Sequence, residues 1–190
     1  MLSCTNDSAP GPDGIPYAAY KALPELCAGM FEHCLFDALA GDELPEAMHE
    51  SLLIFIPKGD ATDDQAFPPD EVRPLTLGNT DSKILAGALN FGFAKVAQET
   101  VHPSQTGFIR GRSMSGNVLR IESEALCCSL TDEVKLAAMV FFDFAAAFPS
   151  VAHAWIFFVL ENMGLDQQAI GLIRNMCARS VWVFVCVVQF

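Results

Sequence analysis

Positive charge is scarce in the first part of the chain. Residues 1–72 contain 14 acidic side chains and only two basic ones, Lys21 and Lys58, whereas residues 73–190 contain nine of each sign. Phosphate backbones are bound mainly by Lys and Arg, so the acidic part alone is a poor surface for nucleic acid. No apolar run approaches the roughly 20 residues that cross a bilayer. The N-terminus has no basic stretch leading into an apolar one, so we expect a nuclear or cytoplasmic protein that is not secreted.

Two common kinds of site are also missing from the sequence. The seven cysteines include no C-x-x-C pair, which argues against a disulfide framework and against a zinc site. The phosphate loop G-x-x-x-x-G-K-[ST] does not occur, so a P-loop nucleotidase is not indicated. With 52% hydrophobic and 18% charged residues, the chain is too apolar for disorder and is typical of a globular domain.

Apolar spacing and turn residues predict an α+β protein. The Pro- and Gly-rich segment 8–16 and the polar segment 58–71 are expected to be loops. Pro24 suits the first turn of a helix and Gly41 suits its end. We predict helices over residues 24–39, 80–101, 116–130, 151–163 and 167–179, and strands over residues 52–56, 136–144 and 181–188.

One charged residue stands at the end of the most apolar predicted strand. Asp143 follows the run Met139 to Phe142, and a buried carboxylate needs a partner, a raised pKa or a metal ion. On the strand alone, a metal ligand and a hydrogen-bonded core or capping Asp both remain open. Lys58 follows the first strand and Arg73 lies beyond the acidic loop, so two cations could converge on a triphosphate while Asp143 holds Mg²⁺.

Five segments, in order, carry a family resemblance. They are "SAPGPDGIPYAAYK", "IPKG", "RPLTLGN", "QTGFIRGRS" and "FFDFAAAFPSV". Together they resemble the fingers and the first palm motif of reverse transcriptases of non-LTR (LINE-type) retrotransposons. Intron maturases and telomerase-like reverse transcriptases share this chemistry, but the first and fourth segments favour the retrotransposon type.

The resemblance implies a role for each matching residue. Asp143 would be the catalytic, metal-binding carboxylate of the first palm motif, and Phe148 the ring that excludes a 2′-OH on the incoming sugar. Lys58 and Arg73 would contact the triphosphate of the deoxynucleotide. The remaining matches would grip the template and the primer: Gln105, Gly107, Phe108, Arg110 and Arg112.

The implied activity is RNA-directed DNA polymerisation on an RNA template and a DNA primer, with deoxynucleoside triphosphates and Mg²⁺ or Mn²⁺. Two later motifs of the family, Gln-Gly…Ser-Pro and aromatic-x-Asp-Asp, do not occur in these residues. We therefore expect a fragment without the rest of the palm and the thumb, inactive alone. Whether this chain is itself an enzyme stays open, and a non-catalytic nucleic-acid-binding or interaction module is the alternative.

The resemblance also implies an architecture. We expect a partial right-hand polymerase with a small mixed sheet flanked by helices. Residues 1–130 would form a fingers-like region with an extended N-terminal arm, and residues 131–190 the beginning of the palm.

Overall fold

The computed structural model describes residues 8–58, 67–130, 138–144, 147–178 and 181–184. The chain divides into two compact units: unit 1 comprises residues 1–86 and 151–190, and unit 2 comprises residues 87–150. The predicted border near residue 130 between fingers and palm stays a prediction.

Unit 1 begins with two helices that follow residues 8–16. Helix α1 spans Tyr17–Ala22 and helix α2 spans Pro24–Ala40. Pro24 occupies the first turn of α2, and Gly41 ends it with a φ of 107°, a left-handed conformation that costs glycine little. The predicted helix over 24–39 is confirmed, whereas α1 was not predicted.

A three-stranded mixed sheet follows, in the order β2-β1-β3. Strand β1 (Glu50–Pro57) pairs antiparallel with β2 (Val72–Gly78) and parallel with β3 (Val181–Phe184). Strand β2 was not predicted, and it contains Pro74. It lies at an edge of the described sheet, where a residue without an N–H is tolerated.

Helices complete both units. Helix α3 spans Thr80–Thr100, α4 spans Met114–Leu130, α5 spans Ala147–Ser150, α6 spans His153–Asn162 and α7 spans Gln167–Ala178. The predicted helices over 80–101, 116–130, 151–163 and 167–179 are confirmed within three residues at each end.

The core of unit 1 draws side chains from its helices and from β1. Its buried apolar side chains are Tyr17, Tyr20, Phe31, Ala38, Leu44, Leu53, Leu85, Ile170 and Leu172. Asn175 of α7 ties the end of α2 to this core, because its side chain accepts from the Leu44 N–H at 3.3 Å and donates to the Asp42 carbonyl at 2.8 Å.

The predicted strand over residues 136–144 is wrong for residues 138–144, which form no strand. Residues 136–137 lie outside the described residues. A strand that is apolar on both faces needs cover on both faces, yet Phe141 and Phe142 are 77% and 83% exposed. Among the described residues, no strand lies beside this apolar run to form backbone hydrogen bonds with it.

Candidate functional site

The hairpin β1–β2 brings two predicted triphosphate ligands to one end. Arg73 is the cross-strand partner of Ile56, and the Lys58 N–H donates to the Glu71 carbonyl at 2.9 Å, which extends the same register. Because side chains alternate along a strand, this register places Lys58 and Arg73 on the same face of the hairpin. Both side chains are exposed.

The two cations differ in how they are engaged. The Lys58 ammonium donates to the Asp70 carbonyl at 2.6 Å. The Arg73 guanidinium makes no hydrogen bond or ion pair with any residue that the structure describes. Arg73 is therefore the freer of the two to make bidentate contacts with a phosphate.

The arm, residues 8–16, is anchored where β2 meets α3. The Asn79 side chain accepts from the Asp13 N–H at 3.2 Å and donates to the Ala47 carbonyl at 2.7 Å.

Two side chains of α3 also bind the arm. The Thr80 hydroxyl donates to the Ile15 carbonyl at 2.6 Å, and the Lys83 ammonium donates to the Ala9 carbonyl at 3.1 Å. Both Asn79 and Thr80 are fully buried. The segments "SAPGPDGIP" and "RPLTLGN" thus contact each other directly.

Gly11 sits at the closest point of this contact. A Cβ added there would lie 2.5 Å from the Asn79 backbone nitrogen and 2.6 Å from its Cα. Backbone atoms cannot move aside cheaply, so only glycine permits this approach.

Two acidic side chains, Asp13 and Asp81, interact electrostatically beside the anchor. Burial raises the pKa of Asp81 above its ordinary value, and the neighbouring Asp13 carboxylate raises that pKa further, against the lowering effect of the Ser82 N–H. Burial likewise raises the pKa of Tyr20 to about 12, with Asp81 and Asp13 contributing. Ionisation of Asp81 is therefore less favourable in the folded chain than in the unfolded chain.

An Asp81→Asn variant is expected to lose this pH dependence. Because the folded pKa is raised above 3.8, the stabilisation from protonated Asp81 is complete below pH 3.8 and is lost as the pH rises through the folded pKa. The free energy of unfolding of the wild type should fall over that window relative to the variant. Urea titrations at a series of pH values measure the difference, with the exposed Asp42→Asn as control. A constant difference across the window would contradict the expectation.

In unit 2, Arg112 holds the segment "QTGFIRGRS" together. Its guanidinium donates to four backbone carbonyls. These are His102 at 2.7 Å, Gln105 at 2.8 Å, Gln98 at 3.0 Å and Val101 at 2.8 Å. Gln98 belongs to the last turn of α3, whose final carbonyls lack helical partners, and Val101 follows that helix directly. Arg112 therefore ties the segment to α3, and contact with nucleic acid stays a prediction for this residue.

Replacing Arg112 by lysine is expected to loosen the segment while keeping the charge. A lysine has one donor group and cannot reproduce the planar fork that reaches four carbonyls. We expect amide hydrogen exchange of residues 101–112 to rise about tenfold or more, since the loss of more than one hydrogen bond costs at least about 1.4 kcal/mol. The control is Arg174→Lys, an exposed arginine outside unit 2 that pairs with Glu161 at 3.8 Å. Equal exchange in both variants would exclude this role.

Three other predicted contacts of the segment are exposed, namely Gln105, Phe108 and Arg110, and Gly107 is half-buried. Gln105 donates to the Gly107 carbonyl at 3.1 Å. Phe108 has a φ of 61° and is 96% exposed, and a bulky residue in this conformation indicates local strain. The exposed Arg110 makes no side-chain hydrogen bond or ion pair with a described residue.

Asp143 and Phe148 also lie in unit 2, and both are exposed. The ring of Phe148 contacts that of Phe108 edge-on, with 6.2 Å between centroids and an interplanar angle of 82°. The structure thus brings together two predicted site residues that are 40 positions apart. The predicted burial of Asp143 at a strand end is wrong, because residues 138–144 are exposed.

The described residues do not fit the metal that the resemblance implies. Two-metal phosphoryl transfer needs more than one carboxylate, and no group of three or more His, Cys, Asp or Glu side chains in the described ranges could hold a metal ion. Asp143 contributes a single exposed carboxylate. No catalytic step is therefore assigned to these residues.

Family comparison agrees with the motifs. Residues 56–187 match the reverse transcriptase (RNA-dependent DNA polymerase) family. The match covers more than half of the chain, so the chain belongs to that family. Its members use divalent metal ions and act on nucleic acid and deoxynucleotides.

A relative points to the same kind of element. The chain is 27% identical over 176 residues to the Transposon TX1 uncharacterized 149 kDa protein of Xenopus laevis. The alignment covers 92% of this chain and 13% of the relative. The predicted resemblance to reverse transcriptases of transposable elements is therefore confirmed. In the described part of the chain, no helix has the length and hydropathy needed to cross a membrane.

Proposed function

We propose that the chain forms the fingers and the beginning of the palm of an RNA-directed DNA polymerase from a non-LTR retrotransposon. Its partners would be an RNA template, a DNA primer and deoxynucleoside triphosphates, inside the cell. Its fold would then be part of a right-hand polymerase.

The hairpin is the observation that carries the proposal. Lys58 and Arg73 share one end and one face of β1–β2, and both are exposed. A triphosphate offers several anionic oxygens, and Arg can bind two of them at once while Lys acts as a point charge. The arm is bound at the opposite end of the hairpin, where Asn79 and Thr80 follow the end of β2 that pairs with Ser51 of β1.

Unit 2 would contact the nucleic acid and the sugar. Phe148 is 81% exposed, so its ring is available to meet the 2′ position of an incoming nucleotide and reject a hydroxyl there. Gln105, Gly107, Phe108 and Arg110 would contact template and primer. Arg112 would act by holding the segment in shape.

The chain is not expected to polymerise alone. Its sequence offers Asp143 as the single candidate catalytic carboxylate, and the aromatic-x-Asp-Asp motif does not occur in it. We expect no primer extension on an RNA template with all four deoxynucleotides and Mg²⁺ or Mn²⁺. Incorporation that Asp143→Asn abolishes and the exposed control Asp42→Asn leaves intact would contradict this part of the proposal.

A second candidate function is nucleic-acid binding without catalysis. The exposed pair of Phe108 and Arg110 favours it, since an aromatic face and a free guanidinium are the groups that bind bases and phosphates. The two functions differ in one property: only a polymerase part should bind a deoxynucleoside triphosphate at Lys58 and Arg73.

A further inference from the structure

Unit 2 contains a groove that the family motifs do not predict. It has a volume of about 470 Å³ and lies between α3 and the segment "QTGFIRGRS". Its aromatic and basic lining consists of Phe91, Phe93, Phe108 and Arg110. Its size lies within the roughly 300–1,000 Å³ of ordinary small-ligand sites.

The groove has exposed aromatic rings on both of its sides. Phe91 of α3 is 66% exposed, and Phe108 of the segment is 96% exposed. Because they line one groove, the two exposed rings form a joint apolar surface that a ligand would cover. The left-handed φ of Phe108 adds strain, which folded chains usually keep only where it has a use.

The polar side chains that line the groove indicate which kind of ligand it could bind. Arg110 lines the groove with a guanidinium that no described residue pairs. Asn90 also lines it, and its amide can donate and accept hydrogen bonds. Aromatic faces beside an unpaired arginine match a flat, aromatic and anionic ligand, which describes an unpaired base with its phosphate.

We propose that this groove binds an unpaired base of a single-stranded nucleic acid, with Phe91 and Phe108 as stacking surfaces and Arg110 at the adjacent phosphate. The inference rests on the proposed function, because it extends the nucleic-acid contacts from the segment to α3. Its new element is Phe91, which no motif of the sequence marks as a contact. A paired base would not fit the proposal, since its faces are already stacked.

Fluorescence anisotropy of a labelled single strand tests the proposal on the full chain. The probes are oligoadenylates of about ten nucleotides, one of RNA and one of DNA, and a base-free sugar-phosphate oligomer of equal length. Both oligoadenylates should bind more tightly than the base-free oligomer if stacking operates. Tighter binding of the RNA strand would identify the template as the occupant, and tighter binding of the DNA strand would identify the primer.

Two ring variants and one control measure the stacking. Phe91→Ala and Phe108→Ala should each weaken binding of the oligoadenylates about five- to a hundredfold, as expected for the loss of one stacked base. Phe91→Trp should restore binding, because it keeps an aromatic face. The control is Phe36→Ala on α2, which removes a ring of similar exposure, 61%, outside unit 2. Circular dichroism melting curves check that each variant is folded.

The outcomes separate this inference from the proposed function. Equal binding by Phe91→Ala and the wild type, or equal affinity for the base-free oligomer, would overturn the inference. If Arg110→Gln still weakened binding in that case, the nucleic-acid contact of the proposed function would survive. If binding of the single strand depended on the rings but no triphosphate bound at Arg73, the inference would still hold. The polymerase role in the proposed function would then be wrong.

Discussion

Replacing Arg73 by alanine is expected to weaken binding of a deoxynucleoside triphosphate about ten- to a hundredfold. The exposed guanidinium shares one face of the hairpin with Lys58 and is not paired by any described residue. Hydrogen bonds to charged groups contribute about 1.5–3 kcal/mol each, and tenfold in affinity corresponds to about 1.4 kcal/mol. Isothermal titration calorimetry with dATP and Mg²⁺ measures the effect.

Conservative and control variants make this test specific. Arg73→Lys keeps the charge but loses the two-pronged geometry, so its affinity should lie between those of the wild type and Arg73→Ala. Arg120→Ala removes an exposed arginine from α4 and should leave the affinity unchanged. An equal loss in Arg73→Ala and Arg120→Ala would show that net charge, and not the hairpin, governs binding.

Replacing Asn79 by alanine is expected to lower the free energy of unfolding by about 2–4 kcal/mol, because two partners would lose their hydrogen bonds at a buried site. These partners are the Asp13 N–H and the Ala47 carbonyl. Urea unfolding at neutral pH measures the change. The control is Asn162→Ala, whose exposed side chain donates to the Phe158 carbonyl at 2.7 Å and should cost much less.

Gly11→Ala distinguishes loss of the arm from a general loss of stability. The added Cβ cannot coexist with the Asn79 backbone, so the arm must move away while the Asn79 side chain is retained. We expect proteolysis within residues 8–16 to become faster in both Gly11→Ala and Asn79→Ala. Protection equal to the wild type in Gly11→Ala would contradict the close approach of Gly11 to the Asn79 backbone.

Local signals in the sequence predict most helices and the central strand. Pro24 and Gly41 mark the ends of α2 because each has a backbone preference that acts without neighbours. The β-branched run before Pro57 marks β1 for the same reason. The positions of Lys58 after the first strand and of Arg73 beyond the acidic loop predicted them as a pair, and the register of the hairpin gives that pair a common face.

Features that depend on contacts between distant residues could not be predicted from the sequence. Strand β2 exists because it pairs with β1, although Pro74 argues against a strand. The anchoring by Asn79 joins residues 66 positions apart, and no periodicity encodes such a contact. Arg110 and Arg112 look alike in the sequence, since both are arginines in one Gly-Arg segment. The Arg112 guanidinium nevertheless donates to four carbonyls, whereas the Arg110 guanidinium pairs with no described residue. Asp143 was expected in a buried strand because its neighbours are apolar, but apolar sequence alone supplies no partner strands.

Photo-cross-linking with an azido derivative of dATP tests the central claim most directly, that the end of the β1–β2 hairpin is a triphosphate site of a reverse transcriptase. Mass spectrometry of the labelled full chain then locates the modified residues. We predict label near Lys58 and within β2 around Arg73, prevented by excess unmodified dATP and lost in Arg73→Ala. Label at other positions, or label that dATP does not prevent, would contradict the account.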